Sequence, residues 1–178
     1  NERHLWTSVR PNGPLRPYEV NRLELRICDL ITNCDLLIAI TALLELRVIS
    51  LMDNPDNLDP IKASSLGIED LLSLCTSNDQ GVARSSLDAT LYKWSDGKPI
   101  LCREWIEELM EEVMPLAIDL DMVDLLSPIN LVLEKGNQAI RWINEYEKNH
   151  SIQKVLSKSI AEIELEEKSS IAPNLSLG

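Results

Sequence analysis

The sequence is poor in the residues that build zinc sites, with four cysteines and two histidines among 178 residues. No two cysteines form a Cys-x-x-Cys pair, and each lies in apolar or helical sequence, at positions 28, 34, 75 and 102. A structural zinc site needs four closely spaced ligands and is not expected. We interpret the cysteines as reduced thiols that fill space. Two isolated histidines also give no basis for a Ser–His–Asp hydrolase.

Basic residues are scarce as well, with 17 Lys and Arg against 29 Asp and Glu and a net charge of −12. The basic residues are scattered and form no stripe. Binding to nucleic acid depends on basic contacts with phosphate, so nucleic acid is not an expected partner. The acidic balance is typical of a soluble protein and favours a cytoplasmic location.

Long apolar runs are absent too. The most apolar run covers residues 36–52 and contains Glu45 and Arg47. A membrane span needs about 20 predominantly apolar residues, so no membrane partner is expected. The run instead predicts a helix over residues 34–52. It is apolar nearly all round, which predicts burial on more than one side.

What the sequence does contain is an alternating stretch near its beginning, Arg22-Leu23-Glu24-Leu25-Arg26-Ile27-Cys28-Asp29. Period-2 alternation predicts a β-strand with one apolar and one polar face. Same-face residues on a strand are about 6.6 Å apart. At that spacing Glu24 and Arg26 can both reach one charged ligand.

Two interpretations of this polar face stay open on spacing alone. The first is an exposed strand with weak cross-strand ion pairs. The second is a site for a metal ion bound to phosphate, because carboxylates suit Mg²⁺ and guanidinium groups suit phosphate. Phosphoryl transfer needs both kinds of group close together.

The remaining pattern predicts an α+β protein in which antiparallel strands at the N-terminus are followed by a mostly helical region. The strands are expected over residues 4–10 and 18–28, joined through a turn at 11–14, as a hairpin. A further short strand is expected over 91–94. Further helical segments are expected over 68–74, 102–120, 122–126 and 143–168, and residues 169–178 are expected to be a flexible tail.

The run from His4 to Asp29 resembles the carboxylate-amine ligase and glutamate–cysteine ligase family. In that family an Arg-Pro turn precedes a strand with Glu-x-Arg-x-x-Asp, and here Arg10-Pro11 precedes Glu24 to Asp29. The resemblance implies a glutamine-synthetase-like fold. Residues 1–168 would form the carboxy-terminal part of one catalytic domain, and the sequence, which has no initiator Met, would be a fragment.

Two later segments continue the resemblance. Residues 77–89 match an Asn-x-x-x-Ala-x-Arg-x-x-Leu-Asp-Ala helix, although Gln80 stands where the family has an aromatic residue. Asn78 is a candidate helix N-cap there, and Arg84 and Asp88 are expected to pair across one turn, or Arg84 to contact substrate. Residues 134–142 match a glycine-containing loop near the site. Gly136 either allows a ligand to approach or simply separates two helices.

The implied activity is ATP-dependent ligation of glutamate to cysteine through an acyl phosphate, the first step of glutathione synthesis. Glu24 would bind Mg²⁺, Arg26 would hold the transferring phosphate, and Arg10 would grip phosphate or a substrate carboxylate. Arg26 and Arg10 are thus the expected catalytic and nucleotide-binding residues. Asp29 would orient Arg26 or cap the next helix, and the chemistry does not require Cys28.

Alternatives to this activity remain at the level of sequence. A carboxylate-amine ligase that uses another amine fits the same motif, because the motif describes the glutamate and ATP side. A helical interaction module without chemistry is the other alternative, and the oligomeric state stays open. The chain by itself is expected to be inactive, because only Glu24 is a convincing metal ligand. Four glutamates at 107, 108, 111 and 112 more simply form a solvated helix face.

Overall fold

The computed structural model describes residues 9–12, 22–25, 31–53 and 60–171. The chain divides into two compact units, residues 1–32 and residues 33–178. The first unit contains a two-stranded antiparallel sheet, and the second contains all of the described helices and a second two-stranded sheet. The predicted α+β class, with strands first and helices after them, is therefore confirmed.

The first unit is a hairpin of β1 (Val9–Asn12) and β2 (Arg22–Leu25). The hairpin pairing is as predicted. The turn predicted at 11–14 is wrong in its first half, because Pro11 and Asn12 belong to β1. A two-stranded ribbon has only edge strands, which is where proline is tolerated in a sheet. The predicted strand residues 4–8, 18–21 and 26–28 lie outside the described residues.

The second unit is built on helices, with a small hairpin between the third and the fourth. The helices are α1 (Cys34–Asp53), α2 (Pro60–Ala63), α3 (Ile68–Ser85), α4 (Cys102–Asp119), α5 (Val123–Lys135), α6 (Gln138–Asn149) and α7 (Ile152–Ile171). A 3-10 turn over Ser86–Asp88 leads into β3 (Thr90–Tyr92) and β4 (Pro99–Leu101). None of the described helices is long and apolar enough to cross a bilayer.

The core of the second unit lies where α1, α4 and α5 meet. Leu46 of α1, Val113 of α4 and Leu126 of α5 are its largest fully buried side chains. Burial of an aliphatic side chain of this size stabilises a fold by about 1.5–3 kcal/mol. At the rim of the core, Arg47 of α1 forms an ion pair with Glu112 of α4. These three helices thus form the framework of the unit.

Helix α1 confirms the helix predicted over 34–52, but not its predicted burial. Its buried residues Ala39, Ala42 and Leu46 lie against α4 and α5. Leu37 and Ile38 are each 48% exposed. The prediction that α1 is buried on more than one side is therefore wrong for the chain as described.

Helix α3 is longer than predicted, because it continues from Ile68 to Ser85 instead of ending near residue 74. Asn78 consequently lies inside the helix, and its predicted role as an N-cap is wrong. Its side chain instead reaches strand β3, where it bonds to Tyr92. The side chain of Asn78, which was predicted to cap a helix, thus makes a tertiary contact instead.

Helix α5 is continuous through Pro128, where sequence reasoning divided it. Proline has no backbone N–H, so the carbonyl four residues earlier loses its helical donor. That carbonyl belongs to Asp124, and the Ser127 hydroxyl donates a hydrogen bond to it at 3.0 Å. The hydrogen bond from Ser127 substitutes for the lost helical one and is a local reason why the helix tolerates Pro128.

The helix predicted over 143–168 is two helices, α6 and α7, separated at His150 and Ser151. His150 has φ +48° and ends α6 in the left-handed conformation, with its N–H bonded to the carbonyl of Tyr146. Residues 169–171, which were predicted to belong to a flexible tail, are helical, because α7 reaches Ile171. Residues 172–178 lie outside the described residues.

Candidate functional site

The register of the first hairpin brings two of the three predicted site residues together. Arg10 and Glu24 are direct partners across the antiparallel pair. Directly opposed residues share one face of a sheet, with Cβ atoms about 4.5–5.5 Å apart. The third residue, Arg26, lies outside the described residues, as do Cys28 and Asp29.

The hairpin separates polar from apolar positions on both strands. The register pairs Arg10 with Glu24 and Asn12 with Arg22 on one face, and it pairs Val9 with Leu25 and Pro11 with Leu23 on the other. Sequence reasoning found this alternation on β2 but missed it on β1. The missed signal is the alternation of apolar Val9 and Pro11 with polar Arg10 and Asn12.

An opposed guanidinium and carboxylate can serve two purposes. As a cross-strand ion pair they would contribute up to about 1 kcal/mol to stability. As ligand-binding groups they offer charge-assisted donors to a phosphate or carboxylate and oxygen atoms to a hard cation. The backbone register places Arg10 and Glu24 at opposed positions, which is compatible with both interpretations and does not decide between them.

The fit to Mg²⁺ is partial. Within the described ranges, no group of three or more His, Cys, Asp or Glu side chains is arranged to hold a metal ion. Mg²⁺ is commonly bound through one or two carboxylates, substrate phosphates and water. Glu24 beside an arginine fits the role of one such carboxylate, with further oxygen ligands required from elsewhere.

The two later segments that sequence reasoning singled out meet in the second unit. The side-chain amide of Asn137 donates to the Ser86 hydroxyl at 2.9 Å. The Arg103 guanidinium donates to the carbonyl of Leu133 and, at 3.4 Å, to the carboxylate of Asp88. We call these five residues the polar junction. It ties the end of α3 and the 3-10 turn to the start of α4 and to the α5–α6 connection.

The predicted pairing of Arg84 with Asp88 is wrong. Helix α3 ends at Ser85, and Ser86 turns the chain with φ +49°, so the two residues do not share one helix face. Among the described residues, the ion pair of Asp88 is with Arg103. Arg84 and Asp88 are four residues apart, as a pair on one helix face would be, but helix α3 ends at Ser85, before Asp88.

Gly136 separates two helices, as the structural interpretation of that segment predicted. It ends α5 with φ +83°, and a Cβ at that position would lie 2.7 Å from Cγ2 of Ile140. The short contact excludes a Cβ, and the combination of φ +83° with ψ +163° is a backbone conformation essentially confined to glycine. Asn137 then caps α6, where its side-chain oxygen accepts from the N–H of Ile140 at 3.0 Å. The alternative role of Gly136, an approach to ligand, stays a prediction.

Two glutamates on the acidic face of α4 form ion pairs with basic residues of other elements. Glu108 pairs with Lys93, and Glu112 pairs with Arg47. In the part of the chain that the structure describes, these glutamates belong to no metal-binding cluster. Glu107, Glu111 and Glu112 are exposed, which agrees with the interpretation of the run as a helix surface.

The described cysteines are free thiols, as predicted, but two of them do not fill space. Cys34 and Cys75 are exposed, whereas Cys102 is half-buried beside the core. Burial raises the pKa of the Cys102 thiol, and the neighbouring Arg103 charge opposes this effect only in part. The raised pKa disfavours the thiolate, which is the reactive form of a cysteine.

Comparison with known proteins decides the family. The family model described as "Glutamate-cysteine ligase family 2(GCS2)" matches residues 1–159, which is most of the chain. The chain belongs to glutamate–cysteine ligase family 2. The match includes the hairpin with Arg10 and Glu24 and every residue of the polar junction. The resemblance read from the sequence is confirmed.

Two curated relatives of this ligase family are similar at low identity. Both are named "Putative glutamate--cysteine ligase 2". The protein of Solibacter usitatus (strain Ellin6076) is 27% identical over 164 residues, which cover 92% of this chain and 40% of the relative. The protein of Gloeobacter violaceus (strain ATCC 29082 / PCC 7421) is 25% identical over 157 residues, covering 88% of this chain and 39% of the relative.

The chain thus spans about two fifths of the length of the curated relatives it matches. No solved structure matches it significantly. The glutamine-synthetase-like fold expected from the resemblance therefore stays a prediction, while the α+β class and the ligase family are established.

Proposed function

We propose that the chain forms part of an ATP-dependent ligase that joins the γ-carboxylate of glutamate to the amine of cysteine. The observation that carries the proposal is the family match over residues 1–159, which includes the opposed Arg10 and Glu24. The names of the two relatives support the same reaction. The products would be γ-glutamylcysteine, ADP and phosphate.

The reaction needs an activated carboxylate. Transfer of the γ-phosphoryl group of ATP to glutamate gives an acyl phosphate, and the cysteine amine then displaces phosphate. Each step moves negative charge between oxygen atoms, so fixed positive groups at the site lower the barrier. Mg²⁺ would supply further neutralisation of the phosphate charge.

Each of the three predicted site residues would have a separate role in this reaction. Glu24 would supply a carboxylate oxygen to Mg²⁺, as its position opposite an arginine allows. Arg10 would donate hydrogen bonds to a phosphate or to the substrate carboxylate. Arg26 would hold the phosphoryl group during transfer, in keeping with its place in the Glu-x-Arg motif. Further carboxylates must complete the metal site.

The test uses the longest open reading frame that contains this chain, expressed as one polypeptide. ADP release is followed with ATP, Mg²⁺ and glutamate, and amines are added one at a time. Release that requires cysteine would support the proposal. Release with another amine alone would replace cysteine as the substrate and keep the ligase mechanism. Absence of release with every amine would contradict the ligase proposal and favour an interaction module.

The 178-residue chain by itself provides a second measurement. We expect it to release no ADP above background, because its described residues contain no complete metal site. Cysteine-dependent turnover by this chain alone would contradict that expectation. It would also place the missing ligands within the residues outside the described ranges.

A further inference from the structure

Helices α6 and α7 lie outside the hydrophobic core of the second unit. No residue of α6 is buried, although the structure describes the whole of this helix. In α7, among the residues whose burial the structure describes, Val155 is the one that is buried. The two clusters of core residues, one around Leu46 and one around Leu91, include no described residue of either helix. Apolar burial therefore contributes little to holding α6 and α7 in place.

Polar contacts attach the two helices to the rest of the unit. Directly before α6, the side-chain amide of Asn137 donates to the Ser86 hydroxyl at 2.9 Å. Near the end of α7, the carboxylate of Glu166 accepts from the side-chain amide of Asn33 at 2.8 Å. Along the chain, one hydrogen bond thus lies at each end of the segment formed by α6 and α7.

The two helices are also tied to each other. The Lys158 ammonium of α7 lies 2.6 Å from the carboxylate of Glu145 on α6. Only His150 and Ser151 separate the helices, and the ring of His150 packs edge-to-face on Tyr146 of α6 with a centroid distance of 6.0 Å. A short connection and a direct ion pair favour movement of α6 and α7 as one body.

The connection between α5 and α6 has the features of a hinge. Gly136 has φ +83° and ψ +163°, a conformation that is essentially confined to glycine. Hinges are formed by a few residues at the ends of elements that absorb changes in φ and ψ, and these residues are often small. Because α6 and α7 both follow Gly136, a rotation at this residue would move the two helices together relative to α5.

We propose that α6 and α7 form a strap that opens and closes as one body about Gly136, with the bond between Asn33 and Glu166 as its latch. Asn33 also caps α1, since its side-chain oxygen accepts from the N–H of Leu36 at 2.7 Å. The closed strap therefore fixes the side chain that caps α1, and opening releases it. The family match ends at residue 159, before the latch residue Glu166. The proposal does not depend on the ligase reaction.

Hydrogen–deuterium exchange of the full 178-residue chain, followed by mass spectrometry, tests the strap. Elements that open locally exchange their amides faster than elements that open only with the whole unit. We expect the central amides of α6 and α7 to share one level of protection, at least about tenfold below that of α4 and α5. We expect Glu166→Ala to accelerate exchange in both α6 and α7 by about three- to tenfold, because one hydrogen bond is lost.

A second variant separates the latch from the helix cap. Asp is as good an N-cap as Asn, but it has no amide donor and would place a carboxylate against Glu166. We therefore expect Asn33→Asp to accelerate exchange in α6 and α7 as Glu166→Ala does, and to leave the central amides of α1 unchanged. The matched control is Glu167→Ala, at an adjacent exposed glutamate, which should exchange like the unaltered chain. Circular dichroism confirms that each variant keeps its helical content.

Three results would overturn the proposal. Equal protection of α6, α7, α4 and α5 in the unaltered chain would show that the strap opens only with the whole unit. Acceleration by Glu166→Ala that is confined to the last turn of α7 would show that the contact holds only a helix end. Equal acceleration by Glu166→Ala and Glu167→Ala would assign the effect to the loss of a surface charge and not to a latch.

Discussion

The side-chain amide of Asn78 bonds to both backbone groups of Tyr92. It donates to the Tyr92 carbonyl at 2.9 Å and accepts from the Tyr92 N–H at 2.8 Å. The amide of a residue inside α3 thus occupies the edge of strand β3 as a neighbouring strand would. This relationship fixes the short β3–β4 hairpin against α3.

Replacement of Asn78 by alanine removes both hydrogen bonds. We expect Asn78→Ala to lower the free energy of unfolding by about 1–2 kcal/mol, since each bond contributes about 0.5–1.5 kcal/mol net. The matched control is Gln80→Ala, two residues along the same helix at an exposed position. Urea unfolding of both variants checks the prediction. A loss for Asn78→Ala no larger than that for Gln80→Ala would show that water replaces the amide at no cost.

We expect two glycines, Gly136 and Gly81, to respond in opposite directions to substitution by alanine. Gly136 has φ +83° and no room for a Cβ, so we expect Gly136→Ala to destabilise the chain by about 1–3 kcal/mol. Gly81 lies inside α3, where a Cβ would meet Thr90 O at 3.6 Å, an ordinary contact. We expect Gly81→Ala to stabilise the chain by about 0.5–1 kcal/mol. Denaturant midpoints measure both signs, and a stabilising Gly136→Ala would refute the argument.

Arg103 is expected to hold the polar junction together through the Leu133 carbonyl. Its bond to that carbonyl is partly buried, whereas its partner Asp88 is exposed. We therefore expect Arg103→Ala to cost about 1 kcal/mol or more and Asp88→Ala to cost less, since exposed ion pairs contribute little. Arg141→Ala, an exposed arginine on α6, is the control. Equal losses for Arg103→Ala and Asp88→Ala would assign the effect to the ion pair instead.

An ion pair between α6 and α7 makes stability depend on pH. The Lys158 ammonium, hydrogen-bonded to the carboxylate at 2.6 Å, lowers the pKa of Glu145, and the same contact raises the pKa of Lys158. The contribution of Glu145 is therefore present above its unfolded pKa of about 4.3 and is lost as pH falls through the lower folded pKa. That of Lys158 is present below about pH 10.4 and is lost as pH rises through the higher folded pKa.

The Tm of the chain and of Glu145→Gln, measured from pH 2 to pH 8, tests this linkage. We expect the unaltered chain to have the higher Tm at pH 7 and the difference to shrink below about pH 4. Glu147→Gln, an exposed position on the same helix, is the control for the loss of one surface charge. A difference between the chain and Glu145→Gln that persists at the acid end would indicate a contribution other than charge.

The proposed site is tested by variants that each neutralise one charged residue of the hairpin. They are made in the longest open reading frame that contains this chain. We expect Glu24→Gln and Arg10→Gln each to lower cysteine-dependent ADP release about 100-fold or more, since each would remove a group that acts on transferred charge. Arg22→Gln is the matched control, because Arg22 lies on the same strand and at the same face as Glu24, and it should keep activity within a few-fold. Loss of stability should stay below about 1 kcal/mol for all three. Equal activities of Arg10→Gln and Arg22→Gln would remove Arg10 from the site.

Features with a local cause were predicted well from the sequence. The alternation around Glu24 predicted a strand, because side chains alternate on a strand, and the pairing of the two segments was also predicted, although Pro11 and Asn12 belong to β1 and not to the turn. The apolar run of α1 predicted a helix for a similar reason. Family membership was also predicted from the sequence, and the family match over residues 1–159 confirms it.

Tertiary contacts decided what local pattern left open. Asn78 has the residue type of a cap, but β3 lies close enough for its amide to bond to Tyr92. Asp88 has the spacing to pair with Arg84, but the chain turns at Ser86 and places it near Arg103 instead. The sequence by itself thus determined the pairing of the first two strands, helix α1 and the ligase family, and it supplied the candidate residues. Only the tertiary structure decided the register of Arg10 with Glu24 and the partners of Asn78 and Asp88, because those depend on backbone segments that are distant along the chain.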